Sequence, residues 1–215
     1  MLAARDNGIG DAGLLALAPA LRRRPTLEGL SAGALPAVTT LFLYNNMLVG
    51  DAGASALAAA LNRGALPRLK GLCLANAAIT DAGLVALAPA LRRRPALEFL
   101  SFSGNPLGDE GLAALVAPPP QAGALSPPTG VLTNLNELIL EKTQLSDAGC
   151  SALTAALTSG VLPALENLIL DDIPASDAAW AAVREALDKL KDSMPDSESE
   201  EDEEEEGEEE EGEGN

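Results

Sequence analysis

The chain has 215 residues, 47% of them hydrophobic but only 2% aromatic, with a formal net charge of −18 and no histidine. That length suits one domain plus a tail, with a core built from Leu and Ala rather than from rings. The missing histidine excludes a Ser-His or Cys-His catalytic pair and a His-containing metal site, and Cys73 and Cys150 show no CxxC spacing and are expected as reduced, unpaired thiols.

The charge is unevenly placed. Residues 196–215 hold 14 acidic and no basic residues, so the remainder carries 18 acidic and 14 basic residues, a balance of −4. No run reaches the roughly 18 apolar residues of a membrane span, and the N-terminus, with Asp6 and Asp11, has no clear signal-peptide architecture. The expectation is a cytoplasmic location, with the nucleus as the alternative, and no membrane partner.

In chain order, Leu2 to Arg5 reads as the remains of a strand without a polar N-terminal cap, as if natural N-terminal repeats were missing. Counting Leu2 as position 0, Asn7 stands at 5, Ile9 at 7, Asp11 at 9 and Gly13 at 11. The frame recurs from Leu41 (Leu43, Asn46, Leu48, with one extra residue before Asp51 and Gly53). It recurs from Leu72 (Leu74, Ala77, Ile79, Asp81, Gly83) and most completely from Leu100 (Phe102, Asn105, Leu107, Asp109, Gly111). It recurs again from Leu138 (Leu140, Thr143, Leu145, Asp147, Gly149) and from Leu168 (Leu170, Ile173, Ala175, Asp177, Ala179). Self-similarity at a fixed period marks a solenoid. Positions 0 and 2 share one face of a strand and point into the core. The Asn satisfies backbone groups of its own turn and the neighbouring one. The Asp serves as the helix N-terminal cap, and the Gly lets the helix start approach the turn.

The first helix, from Asp11, ends in Arg22, Arg23, Arg24 and Pro25, and LAPALRRRP recurs at Leu87–Pro95. The arginines complement the dipole of their own helix and keep its outer face soluble. A nucleic-acid patch is the less favoured reading, since the net charge is negative and no aromatics interleave. Pro19 and Pro89 are expected to shorten or kink these helices to about two turns. Residues 27–38 lack the middle of a repeat and read as a loop, with a weak extra strand as the alternative. Residues 116–132, with five prolines, read as a loop insertion, as tolerated surface variation rather than a partner loop. In the last repeat Trp180, Val183, Leu187 and Leu190 form a stripe that seals the final layer. From Ser193 the acidic run is expected to be disordered. Ser193, Ser197 and Ser199, each with an acidic residue three positions on, are candidate phosphorylation sites. The division is a repeat domain over 1–192, of about six repeats with the first truncated, and a tail over 193–215.

These recurring residues resemble the ribonuclease-inhibitor-like class of leucine-rich repeats, which includes the repeats of NOD-like receptors and Ran GTPase-activating proteins. The resemblance covers residues 1–190. It implies an α/β solenoid in a horseshoe arc, with parallel strands on the concave face, helices on the convex face and a protein partner. On that frame the concave face exposes Thr40, Phe42 and Tyr44, then Gly71, Cys73 and Ala75, then Phe99, Ser101 and Ser103. Glu137, Ile139 and Glu141 follow, then Asn167, Ile169 and Asp171. Of these, Phe42, Tyr44, Phe99, Ser101, Ser103, Glu141 and Asp171, with the adjacent Lys142, are the candidate partner-binding residues, the aromatics as anchors. Cys150 falls early in a helix, and Asp171 with Asp172 reads as a solvated edge rather than a metal site.

Three functions fit. The first is a non-enzymatic protein-binding scaffold. The second is a Ran-type GTPase activator: the layout of repeats followed by an acidic tail resembles Ran GTPase-activating proteins and implies a small GTPase partner. This chain has fewer repeats than that family and no counterpart of its functional motif, so no catalytic residue carries over. The third is a polyanion that holds basic proteins such as histones through the tail. No cofactor, metal or direct nucleic-acid partner is expected.

Overall fold

In the computed structural model, the described residues are the backbone of Leu2–Ala3 and residues 37–118 and 132–193. Six short strands lie parallel in chain order in one sheet: β1 (Leu2–Ala3), β2 (Thr40–Phe42), β3 (Gly71–Cys73), β4 (Phe99–Ser101), β5 (Glu137–Ile139) and β6 (Asn167–Ile169). Among the described residues helices follow five of them: α1 (Gly50–Asn62), α2 (Asp81–Leu91), α3 (Asp109–Val116), α4 (Asp147–Thr158) and α5 (Asp177–Asp192). Each helix packs on the next. The register aligns Leu2, Leu41, Leu72, Leu100, Leu138 and Leu168 across the sheet, so position 0 of the sequence frame becomes one row of the core. The fold is the expected α/β repeat solenoid.

Leu41, Leu43, Leu72, Leu74, Leu100, Phe102, Leu138 and Leu140 are fully buried, as are Leu84, Leu87, Leu112, Leu115 and Leu153 from the helices. One repeat offers too little apolar surface to bury alone, so stacking supplies the core. The stripe of α5 closes the last layer. Val183 and Leu187 are buried, Trp180 and Leu190 pack partly buried against the same core, and the Arg184 guanidinium lies 5.1 Å over the Trp180 ring.

The Asn position works as anticipated. Asn105 Oδ1 accepts from the backbone N–H of Ala77 and Ile79 in the preceding repeat, at 3.0 and 2.9 Å, while its Nδ2 donates to Leu74 O and Phe102 O at 2.8 Å and to Ser103 O at 3.3 Å. Thr143 stands in the same place and donates only to Leu140 O, at 2.7 Å.

The Asp position differs from the expectation. Asp81, Asp109, Asp147 and Asp177 are the first helical residues, and the caps are Thr80, Ser146 and Ser176, whose hydroxyls accept helix N–H bonds, while Gly108 stands before Asp109. Each aspartate instead reaches the following repeat. Asp51 accepts from Thr80 N at 2.8 Å and from its hydroxyl at 2.6 Å. Asp81 accepts from Gly108 N and Gly111 N at 2.7 and 2.9 Å. Asp109 accepts from Ser146 N and hydroxyl at 2.9 and 2.6 Å, and Asp147 from Ser176 N and hydroxyl at 2.6 and 3.0 Å. The glycine follows from this ladder. A Cβ at Gly83, Gly111 or Gly149 would lie 2.4, 2.7 or 2.5 Å from the preceding aspartate Oδ1. The last repeat carries Ala179 there, and Ser176 accepts from Ala179 N instead of the N–H one residue earlier.

Three further expectations change. In the second repeat, Val49 is the buried residue and Leu48 is 66% exposed, so the extra residue falls before the core position. Pro89 lies inside α2, which runs eleven residues. It stands two residues from the helix end, and the bond it gives up is to the carbonyl of Val85, a residue 39% exposed. Arg94 complements the preceding helix rather than its own. Its guanidinium donates to Leu61 O at the end of α1, to Ala65 O at 2.9 Å and to Leu66 O at 3.3 Å, and burial lowers its pKa. The loop readings of residues 27–38 and 116–132 and the tail reading fall on residues 27–36, 119–131 and 194–215, which lie outside the described residues.

Candidate functional site

The concave face is not uniform. In register, Gly71 stands between Thr40 and Phe99, so a residue without a side chain lies between two with one. A Cβ on Gly71 would sit 2.9 Å from Thr40 Cγ2 and 3.5 Å from Phe99 Cδ1. The result is an open hollow of about 330 Å3 lined by Thr40, Phe42, Lys70, Gly71, Glu98, Phe99 and Glu137. Phe42 and Phe99 give it apolar walls, and Tyr44 meets Phe42 edge to face with ring centroids 6.5 Å apart. On its rim, Lys70 Nζ and Glu98 Oε1 pair at 2.7 Å. The pair is largely exposed, so it contributes little stability, on the order of 0–1 kcal/mol, and orients two charges beside the rings.

The predicted site residues divide. Phe42, Tyr44 and Phe99 are partly exposed around or beside the hollow. The expected exposure of Ser101 and Ser103 is corrected: they are 4% and 8% exposed, with hydroxyl oxygens 3.4 Å apart. Cys73, placed on the solvent side by alternation, is likewise only 8% exposed. These small side chains lie between larger neighbours, Cys73 beside Phe42 and Ser101 beside Ile139. Glu141, Lys142 and Asp171 lie further along, with Glu141 and Lys142 loosely paired at 3.9 Å. Ser193 caps the end of α5, its hydroxyl donating to Leu190 O at 2.6 Å, whereas Ser197 and Ser199 lie outside the described residues. Lys70 and Glu98 were missed because they precede the strands; Gly71, the one glycine at its row of the sheet, was the available signal.

A second row runs along the turns. Asn45, Asn76, Gly104, Lys142 and Asp172 occupy the same position after successive strands and all have positive φ, from 51° to 67°. Asn76 Nδ2 donates to Asn45 Oδ1 at 2.9 Å, and Gly104 is required because its Cβ would fall 2.0 Å from Asn76 Oδ1. This row fixes the rim of the concave face. Cys150 faces inward at 1% exposed, and burial, with Asp147 and Asp109 nearby, raises its pKa. Among the described residues no group of three or more His, Cys, Asp or Glu could hold a metal ion. Among them, too, no helix is long and apolar enough to cross a membrane.

Comparison with known proteins agrees with this geometry. The family model described as "Leucine Rich repeat" matches residues 5–18, 95–116 and 131–153. The chain is similar to ribonuclease inhibitor of Sus scrofa, 36% identical over 129 residues, which is 60% of this chain and 26% of that protein. The match thus spans about a quarter of the relative's length. Its fold is similar to that of the tropomodulin C-terminal domain of Caenorhabditis elegans, with a TM-score of 0.56 at 20% identity, covering 83% of this chain and 93% of that one. The stacked strand, turn and helix are a leucine-rich-repeat fold, and the matched repeats with the similarity to ribonuclease inhibitor support a leucine-rich-repeat protein of the ribonuclease-inhibitor-like type.

Proposed function

We propose that the chain is a non-enzymatic interaction scaffold that holds a protein partner on its concave face, centred on the hollow between Phe42 and Phe99. Leucine-rich-repeat proteins are generally protein-interaction scaffolds, and the pig relative is named for inhibiting a ribonuclease. The observation that carries the reading is the hollow itself. Two aromatic walls over a glycine floor, with an ion pair at the rim, offer an apolar anchor from a partner two rings to pack against. The test places a photo-crosslinking amino acid at Phe99 in one sample and at Val85, on the helix side, in another, in cells of the source organism. A protein captured from Phe99 but not from Val85, and still captured after removal of residues 194–215, supports the reading. Capture only through the acidic segment would replace it with the polyanion reading. A captured small GTPase whose hydrolysis the chain stimulates would replace the non-enzymatic scaffold with an activator.

A further inference from the structure

Among the described residues the outer edge of β6 is unpaired, whereas the same edge of β2, β3, β4 and β5 is paired with the next strand. In each inner repeat the outward N–H groups of two alternate residues donate to the next strand, as Leu140 N does to Ile169 O and Lys142 N to Asp171 O, both at 2.9 Å. The corresponding groups of the last repeat, Leu170 N–H and Asp172 N–H, have no hydrogen-bond partner among the described residues. The ladder of aspartates ends in the same place. Asp51, Asp81, Asp109 and Asp147 each accept from the following repeat, and Asp177 is exposed without such a partner among the described residues. Backbone edge and carboxylate therefore stand open together among the described residues, in the arrangement that four interfaces within this chain fill, three of them with the N–H and hydroxyl of a Thr or Ser and one with two glycine N–H groups.

We infer that this edge is a strand-addition site for an extended segment that carries Ser or Thr eight residues after its first inward leucine. Such a segment would donate from its backbone N–H and hydroxyl to Asp177. The spacing is that of Thr80 from Leu72, Ser146 from Leu138 and Ser176 from Leu168, and the chemistry is that of Thr80 on Asp51. Charge selects among occupants. Asp171, Asp172 and Asp177 line the edge, residues 194–215 hold 14 acidic groups, and the whole chain carries −18. That disfavours both this chain's own tail and a second copy, and favours a neutral or basic segment of another protein. Strand addition draws affinity from backbone hydrogen bonds and selectivity from side chains at fixed spacing.

The test uses the full chain and a labelled synthetic peptide copying residues 67–82, which has Arg68, Lys70 and Thr80, with Ser in place of Cys73. Expected are saturable binding, slowed amide exchange at Leu170 and Asp172, and at least a tenfold loss of affinity both for the Asp177→Ala chain and for the peptide with Thr80→Ala. Asp177 has no partner within the described fold, so that variant keeps the unbound structure, which a melting temperature lowered by no more than about 2 °C verifies. Absence of binding at millimolar peptide overturns the proposal. So does binding indifferent to Asp177→Ala, or protection confined to the Phe42–Phe99 hollow.

Discussion

Asp109 holds Ser146 of the following repeat with both carboxylate oxygens, Oδ1 on the backbone N–H at 2.9 Å and Oδ2 on the hydroxyl at 2.6 Å. The serine, so fixed, accepts from Ala148 N and caps α4. One acidic side chain thus joins two layers and organises the helix start above it. Replacement by Ala removes a bond to a charged acceptor and loosens the cap, a loss of about 2 kcal/mol. Asp177 shares the first-turn position and its favourable dipole but has no following layer among the described residues, so Asp177→Ala is expected to cost only about 0.5 kcal/mol. Urea unfolding of the two variants checks the difference; equal losses would mean that the ladder contributes nothing beyond the dipole.

The glycine two positions after that aspartate tests the same ladder from the other side. Ala is a better helix former than Gly by about 1 kcal/mol, so Gly111→Ala in an unconstrained helix would stabilise. Here the new methyl meets Asp81 Oδ1 at 2.7 Å and Asp81 Cα at 3.2 Å, and that carboxylate is held by two backbone N–H bonds. Overpacking of roughly 1–3 kcal/mol outweighs the propensity gain. A net loss near 1 kcal/mol in thermal or chemical unfolding is expected, and a gain would show that the aspartate moves aside freely.

The repeat frame was legible because its leucines and aspartates recur at fixed offsets, and the sheet register turned that offset into a row. What the aspartates bind was not, since the partners lie about 30 residues away and only stacking brings them together. The Thr or Ser directly before Asp81, Asp147 and Asp177 was a visible cap signal, masked by attention to the acid itself. Leu48 and Val49 are both apolar, so pattern alone could not place the extra residue. Alternation placed Cys73, Ser101 and Ser103 on the solvent side of the strands and carried no sign of their burial, which depends on neighbours in other strands. The hollow needed the register that sets Gly71 between Thr40 and Phe99. The left-handed turn row was half visible in Asn45, Asn76 and Gly104, residue types that tolerate positive φ, and hidden by Lys142.

Asn105 and Thr143 occupy equivalent positions with unequal roles. Asn105→Ala leaves the N–H groups of Ala77 and Ile79 without their acceptor, and those residues are fully buried. A loss of about 3 kcal/mol is expected, against about 1 kcal/mol for Thr143→Ala, which ends a single hydroxyl bond. Amide exchange locates the effect: Ala77 and Ile79 should exchange faster in the Asn105 variant and unchanged in the other.

Cys150 links stability to pH. Burial and then the neighbouring Asp147 and Asp109 raise its thiol pKa above the ordinary value of 9.0. An acid whose pKa is higher folded than unfolded supports the fold fully below the unfolded pKa, and that support is lost as pH rises towards the folded pKa. In the unfolded chain the thiol ionises near pH 8.5–9, which pulls the equilibrium towards unfolding. Stability should therefore fall more steeply between pH 8 and 10 in the natural chain than in Cys150→Ala. Denaturant midpoints of both at pH 7 and pH 10 measure it, and parallel slopes would contradict the linkage.

The Phe42–Phe99 hollow should carry the binding energy unevenly. Phe99 packs beside a glycine rather than in the core, so Phe99→Ala should leave the melting temperature nearly unchanged. If a partner anchors there, the same change weakens its binding by about 2 kcal/mol, roughly thirtyfold, as for aromatic hot spots. Ile169, two strands beyond Phe99 in the same sheet, is partly exposed on the concave face but outside the hollow, and Ile169→Ala should change affinity less than threefold. Titration of the crosslinked partner, purified, against the three proteins discriminates the cases. Equal losses at both positions would spread the interface over the whole concave face, and a loss only at Ile169 would move its centre to the C-terminal repeats.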